Sequence, residues 1–406
     1  MDLLKQSNTI RTTFKHIKTN IKLNKIYSSD IQPINANPIL YYLIDYVDKN
    51  AFLKTISELE LKQLYIDFFN SKYSIKEFCK FMDNYGDKLK KFLYNTVNTS
   101  KHIKQMVPYT DDELQLYNEF ISCEIQQDFE SNMYQKLVYD IDYDIDYDID
   151  YSMRLILYTK KSISESKIKH LASLILLLKV YYKSTINVDA TLFLIPKNKK
   201  LSDSKFRVLG TSHINSGYCT TFNSNYSKLC VFREEEMEKV ILHEMCHGLK
   251  LDFNHISVPK HLFSKFNIVP QTRILLNEAY TEIMAVSYNS IIKSSTMKEL
   301  KTNLKMELDH TLSQIAKILN YYQFKDIYDF VKSYDGMNRF KQETSVFSYF
   351  FVKGGLLYHL HHFQLDKQYF NPTTIIEYSL TKDFLKAINK AMKKKDNTKG
   401  LRMTII

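Results

Sequence analysis

The chain contains no tryptophan, and its 406 residues include only eight glycines, seven prolines and five cysteines. So little glycine and proline excludes a collagen-like repeat and long flexible or polyproline linkers. The cysteines (Cys79, Cys123, Cys219, Cys230, Cys246) are odd in number and never spaced as CxxC. That excludes a disulfide framework and a zinc ribbon, and points to a reducing compartment. The longest nearly apolar run, residues 171–178 with Ser173 inside it, is far short of the roughly 20 residues a membrane span needs. The first residues show no apolar stretch of signal-peptide length, so an intracellular protein, not secreted by a classical signal and without a membrane partner, is expected.

What is present is a globular composition, with 44% hydrophobic and 25% charged residues, in a chain long enough for two or three domains. The net charge is +11, but only seven of the 56 basic residues are arginine. Abundant Lys, Asn, Ile and Tyr is the signature of an A/T-rich genome, whereas a phosphate-reading surface is usually arginine-rich and clustered. The one dense run, Lys393 to Lys395, reads as a solvated tail. Nucleic acid is therefore not an expected partner.

Apolar residues recur at helical spacing in 39–47, 52–69 and 78–97, so residues 1–135 read as an N-terminal helical domain. Residues 136–152 hold a low-complexity repeat, YDIDYDIDYDIDY at 139–151, whose alternation puts every Asp on one face of an extended chain. It lacks the glycine turn and closing Glu of a calcium loop, and reads as an extended arm or insertion. From 153 the pattern changes to strand (154–159), helix (164–182, with Ser164 as N-cap), strand (186–195), two further extended pieces (212–222 and 228–232), and a Glu-rich approach to another helix. Beyond about 269 the chain reads helical to its end, with Pro270 suited to a first turn. The fold class expected is α+β.

Residues 243–247 are His-Glu-Met-Cys-His. On a helix, His243 and His247 share a face and can grip one zinc ion, while Glu244 can reach a water there as general base. Cys246 points off that face, into the core. A catalytic zinc needs a third protein ligand. The metzincin pattern is excluded, since its Gly and third His positions are Lys250 and Phe253. Asp252, His255 and His261 remain candidates just downstream. So does Glu278, in Asn277-Glu-Ala-Tyr-Thr-Glu282, where Glu278 and Glu282 stand one helical turn apart and can divide ligation and orientation of a histidine between them.

HExxH followed by NEAYTE resembles the gluzincins, the thermolysin-like peptidases and their aminopeptidase relatives, over residues 153–292. The resemblance implies His243, His247 and Glu278 as ligands of one zinc, Glu244 as general base and Glu282 as the acid behind a ligand. It also implies a zincin-like core, with 153–260 as an upper subdomain bearing the HExxH helix and 261–406 as a helical lower subdomain bearing the third ligand. The chain departs from those families in having Glu282 in place of Asp, and in a longer spacing from His247 to Glu278. A further set of segments, His213-Ile-Asn-Ser-Gly217, Arg233-Glu-Glu-Glu236 and Thr344-Ser-Val-Phe-Ser-Tyr349, is similar to uncharacterised metallopeptidase-like proteins of large nucleocytoplasmic DNA viruses. That likeness implies a viral protein of the host cytoplasm, the viral factory or the virion.

Two further sets of residues enter as candidates. His213, Asn215 and Gly217 fall on a strand that either pairs with extended substrate or forms an ordinary hairpin. Tyr349 either donates to a developing oxyanion or is a buried hydroxyl satisfied elsewhere, with His359, His361 and His362 as rival donors. The function these residues lead to is a zinc-dependent peptidase acting on a protein or peptide. A catalytically silent scaffold of the same fold is the alternative, followed by a DNA-associated protease of the SprT kind.

Overall fold

The structure is a computed structural model that describes residues 3–31, 121–145, 149–201, 208–223, 225–253, 264–269, 274–332, 340–360, 371–394 and 398–406. The chain divides into two units, residues 1–29 with 135–406, and residues 30–134. Most of the expected N-terminal helical domain, together with His255, His261, Pro270, His361 and His362, lies outside the described residues.

The segment expected to be helical throughout begins with helix α1 (Leu3–Asn20) but turns at once into strand β1 (Lys22–Ile31). In the second unit the described element is helix α2 (Cys123–Ser131), whose Asp128 accepts a hydrogen bond of 2.8 Å from the Tyr134 hydroxyl. The YDID repeat then enters the main sheet as strands β2 (Tyr134–Ile145) and β3 (Ile149–Thr159), paired antiparallel with Tyr143 opposite Tyr151. Alternation explains why: Tyr139, Ile141 and Tyr143 are buried on one face, while Asp140 on the other meets Arg154 at 2.9 Å. The repeat is thus part of a six-stranded sheet and not an arm leaving it.

Helix α3 (Glu165–Tyr181) opens at Ser164, whose hydroxyl accepts from the Lys167 amide, and residues 171–178 are buried on every side. Such an all-round apolar helix is stable only inside the protein, and α3 packs between α1 and the helix that bears the HExxH motif. Strand β4 (Asn187–Phe193) runs parallel to β3. A two-residue strand β5 (Val208–Leu209) and a single turn α4 (Thr211–Ile214) follow, so His213 lies on a helical turn where a strand was expected. Strands β6 (Gly217–Asn223) and β7 (Tyr226–Val231) form an antiparallel hairpin, and β7 lies parallel to β4. The strand order is β1-β2-β3-β4-β7-β6, which leaves β6 at the edge.

Helix α5 (Met237–Gly248) carries the motif and packs on β6, β7, α3 and helix α6 (Leu276–Ile292). Helix α7 (Met297–Tyr321) is capped by Thr296, and α8 (Ile327–Phe330) is a single turn. The two-residue strand β8 (Lys341–Gln342) pairs with β5. A π-helical turn, Phe347–Val352, continues into α9 (Lys353–Tyr358). Helices α10 (Pro372–Tyr378) and α11 (Lys382–Met392) complete the helical half. The architecture is α+β, as expected, and among the described residues no helix is long and apolar enough to cross a membrane.

Candidate metal centre

Helix α5 is buried on nearly all sides because Val240, Ile241, Leu242, Met245 and Cys246 fill the space between the sheet and α6. Cys246 is core, as expected, and burial holds its thiol well above the ordinary range. The remaining face of α5 carries Lys239, His243 and His247 at intervals of four. The imidazoles of His243 and His247 lie with ring centroids 4.9 Å apart at 73°. Glu278, in the first turn of α6, reaches into the gap between them, a position that also suits the helix dipole.

Three potential ligand atoms converge there. His243 Nε2 and His247 Nε2 are 3.2 Å apart. Glu278 Oε2 is 3.3 Å from the first and 3.4 Å from the second. The outer ring nitrogens face acids. His247 Nδ1 meets Asp252 Oδ2 at 2.9 Å, and His243 Nδ1 lies 3.0 Å from Glu282 Oε1, bent away from ideal hydrogen-bond geometry. Carboxylates at both Nδ1 positions keep the proton there and turn the Nε2 lone pairs towards Glu278. Glu278 Oε2 is itself desolvated and makes no well-directed hydrogen bond among the described residues. Lone pairs facing one another in a buried site repel unless a cation lies between them.

The charges lead to the same conclusion. Burial opposes protonation of both histidines, but the carboxylates of Glu278, Glu282, Asp252 and Glu244 outweigh it and raise both pKa values. Burial works against ionised Glu278 and Glu282 too, yet cationic neighbours hold both well below the ordinary carboxylate range. The carboxylates therefore draw positive charge, a proton or a metal ion, into the space between the two histidines. Among the described residues, His243, His247 and Glu278 form the one group of three that could hold a metal ion.

Of the downstream ligand candidates, Asp252 bonds the nitrogen of His247 that faces away from the centre, so it orients that histidine. Glu244 is buried and borders a cavity of about 30 Å³ together with His243, Asn215, Gly217, Tyr349 and Met403. That volume is room for a water molecule. Burial raises the Glu244 carboxyl above its ordinary value, against the pull of His243 and His247. Tyr349 sits in the π-helical turn with its ring centroid 5.9 Å from that of His243. Single π-turns inside helices occur often at functional sites, because they re-aim a side chain. Burial, then the carboxylates of Glu278, Glu244 and Glu282 and a hydrogen bond to Glu278, push its hydroxyl well above the ordinary tyrosine value, so it stays protonated and is already satisfied by Glu278.

His213 does not line this cavity; its Nδ1 instead accepts from the Gly210 amide at 3.1 Å. Asn215 does line it, and its Oδ1 accepts from Thr344 at 3.0 Å. His359 is engaged elsewhere, 2.8 Å from Thr381 Oγ1. Gly217 abuts the motif helix: a Cβ there would stand 2.9 Å from both the Cys230 carbonyl and Val240 Cγ1, and 3.1 Å from Glu244 Cγ. Gly217→Ala should therefore destabilise the protein by about 1–3 kcal/mol, the usual effect of overpacking, measurable by denaturant unfolding. A variant as stable as wild type would show that β6 can shift away from Glu244 without cost.

Comparison with known protein families, with curated proteins and with solved structures finds no match.

Proposed function

We propose that this protein is a zinc-dependent peptidase of gluzincin type, built on a zincin-like core. The observation that carries the reading is the triangle of donor atoms, with sides of 3.2, 3.3 and 3.4 Å. Ligands about 2.0–2.1 Å from a tetrahedral zinc stand about 3.3–3.4 Å from one another, so the triangle has the size of one face of that tetrahedron. Two imidazole nitrogens and one carboxylate oxygen also make up the donor set of a catalytic zinc, which keeps its fourth position open. Held by His243, His247 and Glu278, zinc would supply Lewis acidity towards water and a carbonyl oxygen.

The chain's own residues divide the remaining work. Glu244, beside the water-sized cavity, accepts a proton from the attacking water and delivers it to the leaving amine. Tyr349 donates a hydrogen bond to the substrate oxygen as charge builds on it. Among the described residues, strand β6 has one unpaired edge and begins at Gly217 against Glu244, so an extended peptide can add to the sheet there.

Zinc stoichiometry of the purified protein beside Glu278→Ala tests the reading. About one zinc per chain, lost or weakened at least tenfold in the variant, is expected. A wild-type chain that takes up no zinc from metal-replete buffer would end it. A second reading, a scaffold that uses the ion only to hold α5 against α6, draws on the small size of the cavity beside Glu244, about 30 Å³ among the described residues. Hydrolysis that depends on Glu244 separates the two.

A further inference from the structure

Six charged side chains, Lys199, Lys239, Lys353, Glu236, Glu282 and Glu307, are buried in one linked cluster, which meets His243 through Glu282. An apolar core of the same shape would be as stable or more so, which leaves specificity of position as the service such ions can render. The link to the metal centre is a single oxygen. Glu282 Oε1 is 2.6 Å from Lys239 Nζ and 3.0 Å from His243 Nδ1. Lys239 precedes His243 by one turn of α5, so the same helix face supplies the carboxylate's cationic anchor and the imidazole to be oriented.

The other end of the network is the segment 403–406, more than 150 positions away in sequence from the motif. Met403 Sδ lies 3.6 Å from Lys239 Nζ, and the Met403 carbonyl accepts from Lys353 Nζ at 2.8 Å. The Thr404 amide donates to Glu236 Oε1 at 2.6 Å, while Glu236 Oε2 holds Lys199. Glu307 Oε1 accepts from the Thr404 hydroxyl and, at 3.0 Å each, from the amides of Ile405 and Ile406. Glu236 takes up a left-handed backbone conformation, with φ of 61°, rare for a residue with a side chain.

We propose that Lys239 is a positioning residue of the metal centre and that residues 403–406 are the clamp that holds it and Glu282 in register, so that metal affinity depends on this segment being docked. The inference rests on the reading of His243, His247 and Glu278 as metal ligands. Acids placed behind zinc-bound histidines typically set affinity by a factor of about 10–100. Here the acid is itself set by a lysine, and the lysine is enclosed by the segment that begins at Met403.

The test is zinc affinity, measured by chelator competition on metal-free protein, for wild type, Lys239→Met, Lys239→Arg and a chain ending at Arg402. Unfolding of each metal-free protein is followed alongside. Lys239→Met and the shortened chain should bind zinc about 10–100-fold more weakly while still unfolding cooperatively, with Lys239→Arg recovering part of the loss. Cobalt(II) bound to the first two should show a visible spectrum changed from wild type, because the His243 ring is no longer held. Affinity and spectrum equal to wild type in folded Lys239→Met would overturn the proposal. Should that variant not fold, the shortened chain decides alone: wild-type affinity without residues 403–406 overturns the clamp. A wild-type protein that binds no zinc is a different result, visible before any variant is made, and it removes the metal site itself.

Discussion

Glu244→Gln should abolish peptide hydrolysis while leaving bound metal in place. The amide has the shape of the carboxylate but cannot take up a proton, and a positioned general base typically contributes a factor of 10²–10⁴. The fold has reason to tolerate the change. Glu244 is 6% exposed, and burial already disfavours its ionised form. A neutral isostere removes a desolvated charge without opening a cavity. Gly217 still faces the same methylene groups. The measurement is cleavage of a mixed peptide library, read by mass spectrometry, on metal-loaded wild type and variant with zinc content determined in both. Wild-type turnover in a zinc-loaded Glu244→Gln chain would remove the base from its role. No cleavage by wild type under any loading condition would favour the scaffold.

The part of the centre legible in the sequence is the part fixed by helical periodicity. His243 with His247, and Glu278 with Glu282, are pairs one turn apart, and a turn is a local property of the backbone. Their neighbours come from other kinds of position. Asp252 follows the end of α5 and so has no periodic relation to His247, which is why it stood among the ligand candidates when its contact is with Nδ1. Lys239 has the look of a solvated helix lysine, and nothing local announces that Glu282 and Met403 enclose it. Tyr349 owes its place to a π-turn packed on Phe266, Phe330 and Phe340, and an insertion of that kind leaves no spacing to read.

The sheet divides in the same way. Strands β3, β4 and β7, the helix α3 and its Ser164 cap follow from apolar runs and a capping residue. Strand β1 was missed because Lys-Leu-Asn-Lys-Ile-Tyr carries too little apolar alternation, and its place comes from pairing with β2. The turn at His213 stayed hidden because its hydrogen bonds run to Gly210, a contact shaped by the loop and not by strand propensity.

Removing the metal should lower the melting temperature more than any single surface substitution. A ligand that binds only the folded state stabilises it by about 4 kcal/mol when its free concentration is about a thousand times its dissociation constant. For a unit as large as residues 1–29 with 135–406, each kcal/mol shifts the midpoint by roughly 2 °C, so the difference between zinc and chelator should be on the order of 8 °C. The reason is local and electrostatic. Without the cation, Glu278 must be compensated by protons on buried His243 and partly buried His247, each at a desolvation cost. With it, the same three groups coordinate one charge and the acids behind them become its support. Glu278→Ala should lose the zinc-dependent shift, because the triangle is open on one side. Glu244→Gln should keep it, because that side chain does not belong to the triangle. Calorimetry of the three proteins, each with zinc and with chelator, therefore separates ligand from base without any substrate. Equal midpoints for wild type in the two buffers would mean that the cluster holds its protons instead of a metal ion.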